Sequence, residues 1–313
     1  MILCAPRRAA PRRAAPVRHP VGVLLSRRQV VISALALAAA GGALVEEGLV
    51  FRRFLNRFFD LASAPPYEVP ATNAVTESGS FVSKARGGRT VGWSIAYPPG
   101  ERRGVPVVLV LHGRGDSHST VFDSHAWGRY LVAAVEAGTP PFAVAAADGG
   151  NHDYWHRRAN GDDPQLMLLT EFIPLLAQRG LRTDRFGLAG WSMGGYGALL
   201  LAERVGPSRC AAVAVDSPAL WRKPSDTAPG AFDDAADFRR NDVIAQRARL
   251  SGIPLRIAIG TFDPFYPTTR FFAAELTPRP ETDFSLGGHN LAFWRHSAPQ
   301  QIAFLGERLR GST

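Results

Sequence analysis

From about Ser78 onward, short unbroken apolar runs alternate with longer segments of helical character. Pro106–Leu111, Phe142–Ala147, Arg185–Ala189, Ala211–Val215 and Pro254–Ile259 are apolar almost throughout instead of alternating with polar residues. Strands covered on both faces of a parallel sheet read this way. Helices are predicted over 126–137, 164–179, 195–203 and 298–308, and a short last strand over 281–284. Ahead of them, 79–83 and 90–97 read as two strands joined at Arg86-Gly87-Gly88-Arg89, a hairpin turn. Strands that alternate with helices imply one α/β domain over 78–313, with a mostly parallel, doubly wound sheet. Residues Pro218–Arg249 break the rhythm. They hold Trp221, Pro224, Pro229, Phe232 and four aspartates ahead of a helix expected from Asp242. This stretch fits a cap over the functional edge of the sheet, or equally an ordinary long crossover.

Composition alters this picture at the N-terminus only. The chain has 313 residues, 46% of them hydrophobic, and a net charge of +9. Alone, that charge suggests a nucleic-acid binder. Seven arginines and no acids lie within residues 1–40, however, and setting them aside leaves 29 basic residues against 27 acidic. The globular part is thus nearly neutral, without the basic stripe that phosphate binding needs, and nucleic acid is excluded as a partner. Ser26-Arg27-Arg28-Gln29 followed by an alanine-rich apolar run to Val45 reads as a twin-arginine export signal or anchor over residues 1–45. The run is shorter than the roughly 20 residues of a membrane span. Leu49–Phe59 alternates phenylalanine with arginine, which suits either an amphipathic helix on a membrane surface or a packing helix. A proline-rich linker follows over 60–75. With Cys4 in the leader, Cys210 is the only other cysteine. It reads as a small buried residue, and neither a disulfide nor zinc is expected.

The candidate chemistry centres on Gly190-Trp191-Ser192-Met193-Gly194, set between an apolar run and a small-residue helix. Gly-x-Ser-x-Gly in a strand–turn–helix context projects the serine hydroxyl at the top of the sheet. A serine needs a base, and the base a carboxylate to orient it. Only His289 and His296 follow Ser192. His289, in the loop Gly287-Gly288-His289-Asn290, is the expected base, and His296 a surface or packing residue. Asp263, just past the 254–259 run, is the expected acid, with Asp216 as the alternative. Asp233, Asp234 and Asp237 read as a solvated charge run. The Met193 amide and the loop His112-Gly113-Arg114-Gly115-Asp116 stand where an oxyanion hole is built. In that setting His112 reads as a loop-ordering residue. His118, His125 and His156 have no metal-ligand spacing, and no metal or cofactor is expected.

Four motifs in this order resemble the esterase-D-like branch of the α/β hydrolases, which includes S-formylglutathione hydrolases, feruloyl esterases and secreted mycolyltransferases. They are Leu111-His112-Gly113-Arg114-Gly115, Asp148-Gly149-Gly150 with Tyr154-Trp155, the Ser192 turn through Ala198, and Gly288-His289-Asn290 with Phe293-Trp294-Arg295. The resemblance spans about residues 79–310. It implies an α/β-hydrolase fold with Ser192 as nucleophile, His289 as base and Asp263 as its orienter. It further implies the Arg114 and Met193 amides as oxyanion donors, and His112, Gly113, Tyr154 and Trp155 around the substrate. The expected activity is that of an exported serine esterase or acyltransferase on a small-molecule or lipid ester. A catalytically silent envelope protein of the same fold is the alternative.

Overall fold

The computed structural model describes residues 65–310. The leader and the 49–59 segment lie outside them. In chain order the elements are β1 (Val75–Ser83), β2 (Arg89–Tyr97), β3 (Pro106–Leu111), α1 (Thr120–Asp123), α2 (Trp127–Glu136) and β4 (Ala143–Ala147). Next come α3 (Pro164–Met167), a π turn (Leu168–Phe172), α4 (Ile173–Gln178), β5 (Arg182–Trp191), α5 (Met193–Arg209) and β6 (Cys210–Asp216). The chain then forms α6 (Ala235–Arg240), β7 (Leu255–Ala258), α7 (Tyr266–Glu275), β8 (Glu281–Asp283) and α8 (Leu291–Leu309).

The strands make one eight-stranded sheet in the order β1-β2-β4-β3-β5-β6-β7-β8. β1 and β2 form the expected antiparallel hairpin, and β2 meets β4 antiparallel. Every pair from β4 to β8 is parallel. The apolar runs are continuous because both faces are covered. Val108 and Val110 of β3 pack with Leu131 of α2 and Ile302 and Leu305 of α8. Their neighbours Leu109 and Leu111 point the other way, toward Phe172, Leu176 and Leu199.

Four local expectations need revision. α7 was not expected at all: it buries only Thr269, Phe272 and Ala273, too few for a periodic apolar stripe. Topology nevertheless requires a crossover there, since β7 and β8 are parallel neighbours. The helix expected from Asp242 is replaced by turns and a short 3-10 segment at Arg247–Leu250. A true helix, α6, comes earlier and is N-capped by the Asp234 carboxylate, which accepts the Asp237 amide. α8 begins at Leu291, not at Ala298, capped by Asn290. β1 opens at Val75, inside the stretch read as linker.

Candidate active site

β5 ends at Trp191 and α5 starts at Met193, so Ser192 alone makes the turn. Its φ of 54° and ψ of −119° are unusual for a side-chain-bearing residue. The turn is held on both sides of the residue. The Ser192 amide donates to the Asp216 carbonyl at 3.0 Å, and the Ser192 carbonyl accepts the Ala219 and Tyr196 amides, each at 3.0 Å. A Cβ at Gly194 would run into the Leu111 carbonyl, and one at Gly190 into the carbonyl of Gly194. The two glycines of the motif are therefore there for close backbone approach.

His289 and Asp263 come from adjacent loops past β7 and β8. The Thr261 amide donates to the Ser285 carbonyl and the Phe262 amide to the Gly287 carbonyl, each at 2.9 Å, which zips the two loops together. His289 Nδ1 donates to Asp263 Oδ2 at 2.7 Å. That leaves Nε2 as acceptor for the Ser192 hydroxyl at 2.9 Å. Asp263 is fully buried, and its other oxygen accepts the Phe265 amide at 2.8 Å. Such a carboxylate holds one tautomer and one ring orientation. Rings flank the imidazole, with Phe265 at 5.5 Å and Trp294 edge-on at 5.2 Å.

Asp216, the alternative acid, has a different task. It is buried at the end of β6, and Oδ1 accepts the Ser297 hydroxyl at 2.5 Å and the Gln301 amide at 2.9 Å. Burial raises its pKa to about 7 against the pull of those two donors. It clamps α8 to the sheet and makes no contact with His289.

The loop after β3 brings the remaining pieces to the same edge. Among the described residues, neither the Met193 nor the Arg114 amide donates to a backbone acceptor. His112 is buried beneath the loop. Its Nδ1 donates to the Gly113 carbonyl at 2.8 Å and its Nε2 accepts the Gly149 amide at 2.9 Å. Burial depresses its pKa and keeps the ring neutral. His112 thus ties two loops together. Trp155 differs from its expected place in the pocket wall. Fully buried, its indole donates to the His112 carbonyl at 3.2 Å, and its ring occupies the room that side chains at Gly149 and Gly197 would take. Tyr154 and Trp155 both have positive φ, 46° and 55°, which turns the two rings in different directions.

Tyr154, also buried, packs into an aromatic cluster built largely by the 218–249 stretch. Trp221 lies 5.5 Å from Tyr154 and 5.5 Å from Phe265, and Phe232 lies 6.3 Å from Tyr154. A line of rings therefore leads from His289 through Phe265 and Trp221 to Tyr154. Of the aspartates read as a solvated run, Asp233 and Asp234 are exposed, but Asp237 is not. Asp233 pairs with Arg158 at 2.7 Å, and Asp237 is buried, accepting the Asp233 amide at 3.0 Å. Hydrogen bonds from Arg158 and His156 to the Ala231 carbonyl, at 2.8 and 3.0 Å, complete this seam. Charge spacing along the chain carried no sign of it, because the partners lie some seventy residues away and only folding brings them near. An open groove of about 760 Å³ between Phe81, Leu166, Glu171 and Leu175 touches none of Ser192, His289 or Asp263.

A family profile described as "Putative esterase" matches residues 84–304. The chain belongs to that esterase family. Among solved structures it is similar to a ferulic acid esterase, with 19% identity and a TM-score of 0.62, over 75% of this chain and 99% of that one. It is also similar to an S-formylglutathione hydrolase from Staphylococcus aureus, with 17% identity and a TM-score of 0.61, over 75% of this chain and 100% of the other. MPT51 from Mycobacterium tuberculosis matches at 18% identity and a TM-score of 0.58, over 79% of this chain and 99% of its own. These likenesses establish the α/β-hydrolase fold for this esterase-family chain. No curated protein sequence matches it.

Proposed function

We propose that the protein is an exported serine esterase or acyltransferase working through Ser192, His289 and Asp263 with a covalent acyl-enzyme. The observation that carries this reading is the pair of contacts at His289: 2.9 Å to the Ser192 hydroxyl and 2.7 Å to the Asp263 carboxylate. In this reading His289 Nε2 takes the serine proton as Oγ attacks the ester carbonyl. Asp263 stabilises the imidazolium that results. The amides of Met193 and Arg114 receive the oxyanion. Collapse of the tetrahedral adduct expels the alcohol, protonated by His289, and leaves an ester on Ser192. Water or a second alcohol then attacks that ester by the same route in reverse. Membership of the esterase family supports the reaction class. Export rests on Arg27-Arg28 and the apolar run behind them.

Labelling with a fluorophosphonate probe, paired with turnover of p-nitrophenyl esters of increasing chain length, tests the reading. Ser192→Ala should abolish labelling and lower kcat by about 10⁴-fold or more. Retained activity in that variant removes Ser192 as nucleophile. Adding an alcohol acceptor and analysing products separates transfer from hydrolysis.

A further inference from the structure

Arg114 stands two residues past His112, with its own amide at the oxyanion position and its side chain exposed. The guanidinium is held without a carboxylate. Its Nε donates to His152 Nδ1 at 2.7 Å, and it also meets the Tyr154 hydroxyl. Of three acidic residues on the neighbouring loops, two are paired with other arginines and Asp116 is hydrogen-bonded to a neutral indole. Asp116 accepts the Trp191 indole N–H at 3.0 Å, Asp153 pairs with Arg86 at 3.0 Å, and Asp233 pairs with Arg158 at 2.7 Å. Among the described residues Arg114 makes no ion pair, whereas Arg86 and Arg158 each do. The loop that bears the proposed oxyanion amide therefore carries a guanidinium with no ion-pair partner among the described residues, oriented by its bond to His152. With Nε engaged by His152, its terminal nitrogens remain as donors, in the fork geometry that takes a carboxylate bidentately. Tyr154, which it meets, begins a line of uncharged rings through Trp221 to Phe265, which suit the carbon skeleton of a substrate and supply no competing anion.

We propose that Arg114 selects esters bearing a carboxylate close to the scissile bond, so that the enzyme's substrate is an acidic ester. The proposal rests on the esterase reading above and names the substrate class of that same site. The carboxylate belongs either to the acyl part, as in the half-ester of a dicarboxylic acid, or to the alcohol part.

Two matched pairs of esters distinguish these sources. One pair is p-nitrophenyl hemiglutarate with p-nitrophenyl pentanoate, and the other is 4-butyryloxybenzoate with its methyl ester. For each pair the charged-to-neutral ratio of kcat/KM is measured in the wild type, in Arg114→Gln and in Arg114→Lys. Taking ratios cancels differences in intrinsic ester reactivity and any effect of the substitution on the backbone amide. In at least one pair Arg114→Gln should lower the ratio about tenfold or more, as expected for the loss of a charge-assisted hydrogen bond. Arg114→Lys should retain part of the preference. In the wild type that ratio should also fall as KCl rises from about 0.05 to 0.5 M, by screening. A ratio that moves less than tenfold in Arg114→Gln for both pairs overturns the proposal. Absence of any wild-type turnover of all four esters, charged and neutral alike, overturns the esterase reading, and this inference with it.

Discussion

At the residue scale, the site combines three side chains that must be ionised or oriented with several titratable groups kept neutral by burial. Glu203 on α5 is the clearest of the latter. It is 6% exposed, and neither carboxylate oxygen has a hydrogen-bond partner among the described residues. Burial raises its pKa to about 9, against the pull of Arg249 and with a push from Asp242. The sign of the linkage follows from the raised value. An unfolded chain ionises Glu203 above its ordinary pKa of 4.5, while the folded one keeps the proton. Stability is therefore fully present below about 4.5 and is lost as pH climbs toward 9. Asp216 acts in the same direction, but its window closes near 7. Between pH 7 and 9, Glu203 alone of these two still lowers stability with rising pH. Glu203→Gln should flatten that slope and stabilise the protein at pH 8 by about 2 kcal/mol, or several degrees in Tm. Thermal melts of both proteins from pH 5 to 9 check this, and parallel curves count against it.

Among the elements, the β1–β2 turn reaches furthest beyond itself. Arg86 in that turn donates from Nε and Nη2 to both oxygens of Asp162, each at 2.9 Å, from Nη2 to Asp153 at 3.0 Å, and from Nη1 to the Asp148 carbonyl at 2.8 Å. One buried side chain thereby pins the whole 148–162 loop, including the left-handed pair Tyr154 and Trp155. Arg86→Met would strip Asp153 of its cation and leave the enclosed Asp162 with Arg89 alone, at 2.9 Å. Removing one partner of a buried charge pair costs about 3–5 kcal/mol, and urea unfolding should register a loss of that size. Glu171 anchors the same turn from the helical side. It lies in the π turn between α3 and α4 and accepts the amides of Lys84 and Ala85 at 2.9 and 3.1 Å. The extra residue in that turn is what the unbroken 164–179 helix expected from sequence did not contain. Periodicity is blind to it, because one inserted residue rotates the pattern without ending it.

For the whole molecule, charge is divided between an arginine-rich N-terminal segment and a nearly neutral remainder. If Arg27 and Arg28 direct export of the folded chain, changing both to lysine should leave the protein inside the cell and its esterase activity in the lysate unchanged. Fractionation of expressing cells reads this directly, and continued export of the variant removes the twin-arginine assignment.

How much was legible in the sequence differs from one feature to the next. β3, β4, β6 and β7 stand within a residue or two of their apolar runs, since burial on both faces leaves polar residues no place in them. The Ser192 turn was equally local, because the requirement for Gly190 and Gly194 is steric and acts within a few residues. Other matters depended on distance in space. Asp216 and Asp263 both follow strands and are indistinguishable by spacing. Sheet order and loop pairing put Asp263 against a histidine 26 residues away, and that histidine against a serine 97 residues away, while Asp216 was turned toward α8. Trp155 looked like a pocket residue and became core, because its backbone twists the ring inward. The pairing of Asp153 and Asp233 with other arginines, which leaves Arg114 without an ion-pair partner among the described residues, is likewise invisible along the chain. Local sterics and burial acted on neighbours in sequence, so the sequence by itself determined the strands and the serine turn. Partnership between charges depends on which side chains arrive within about 3 Å of one another, and only the tertiary structure decided that.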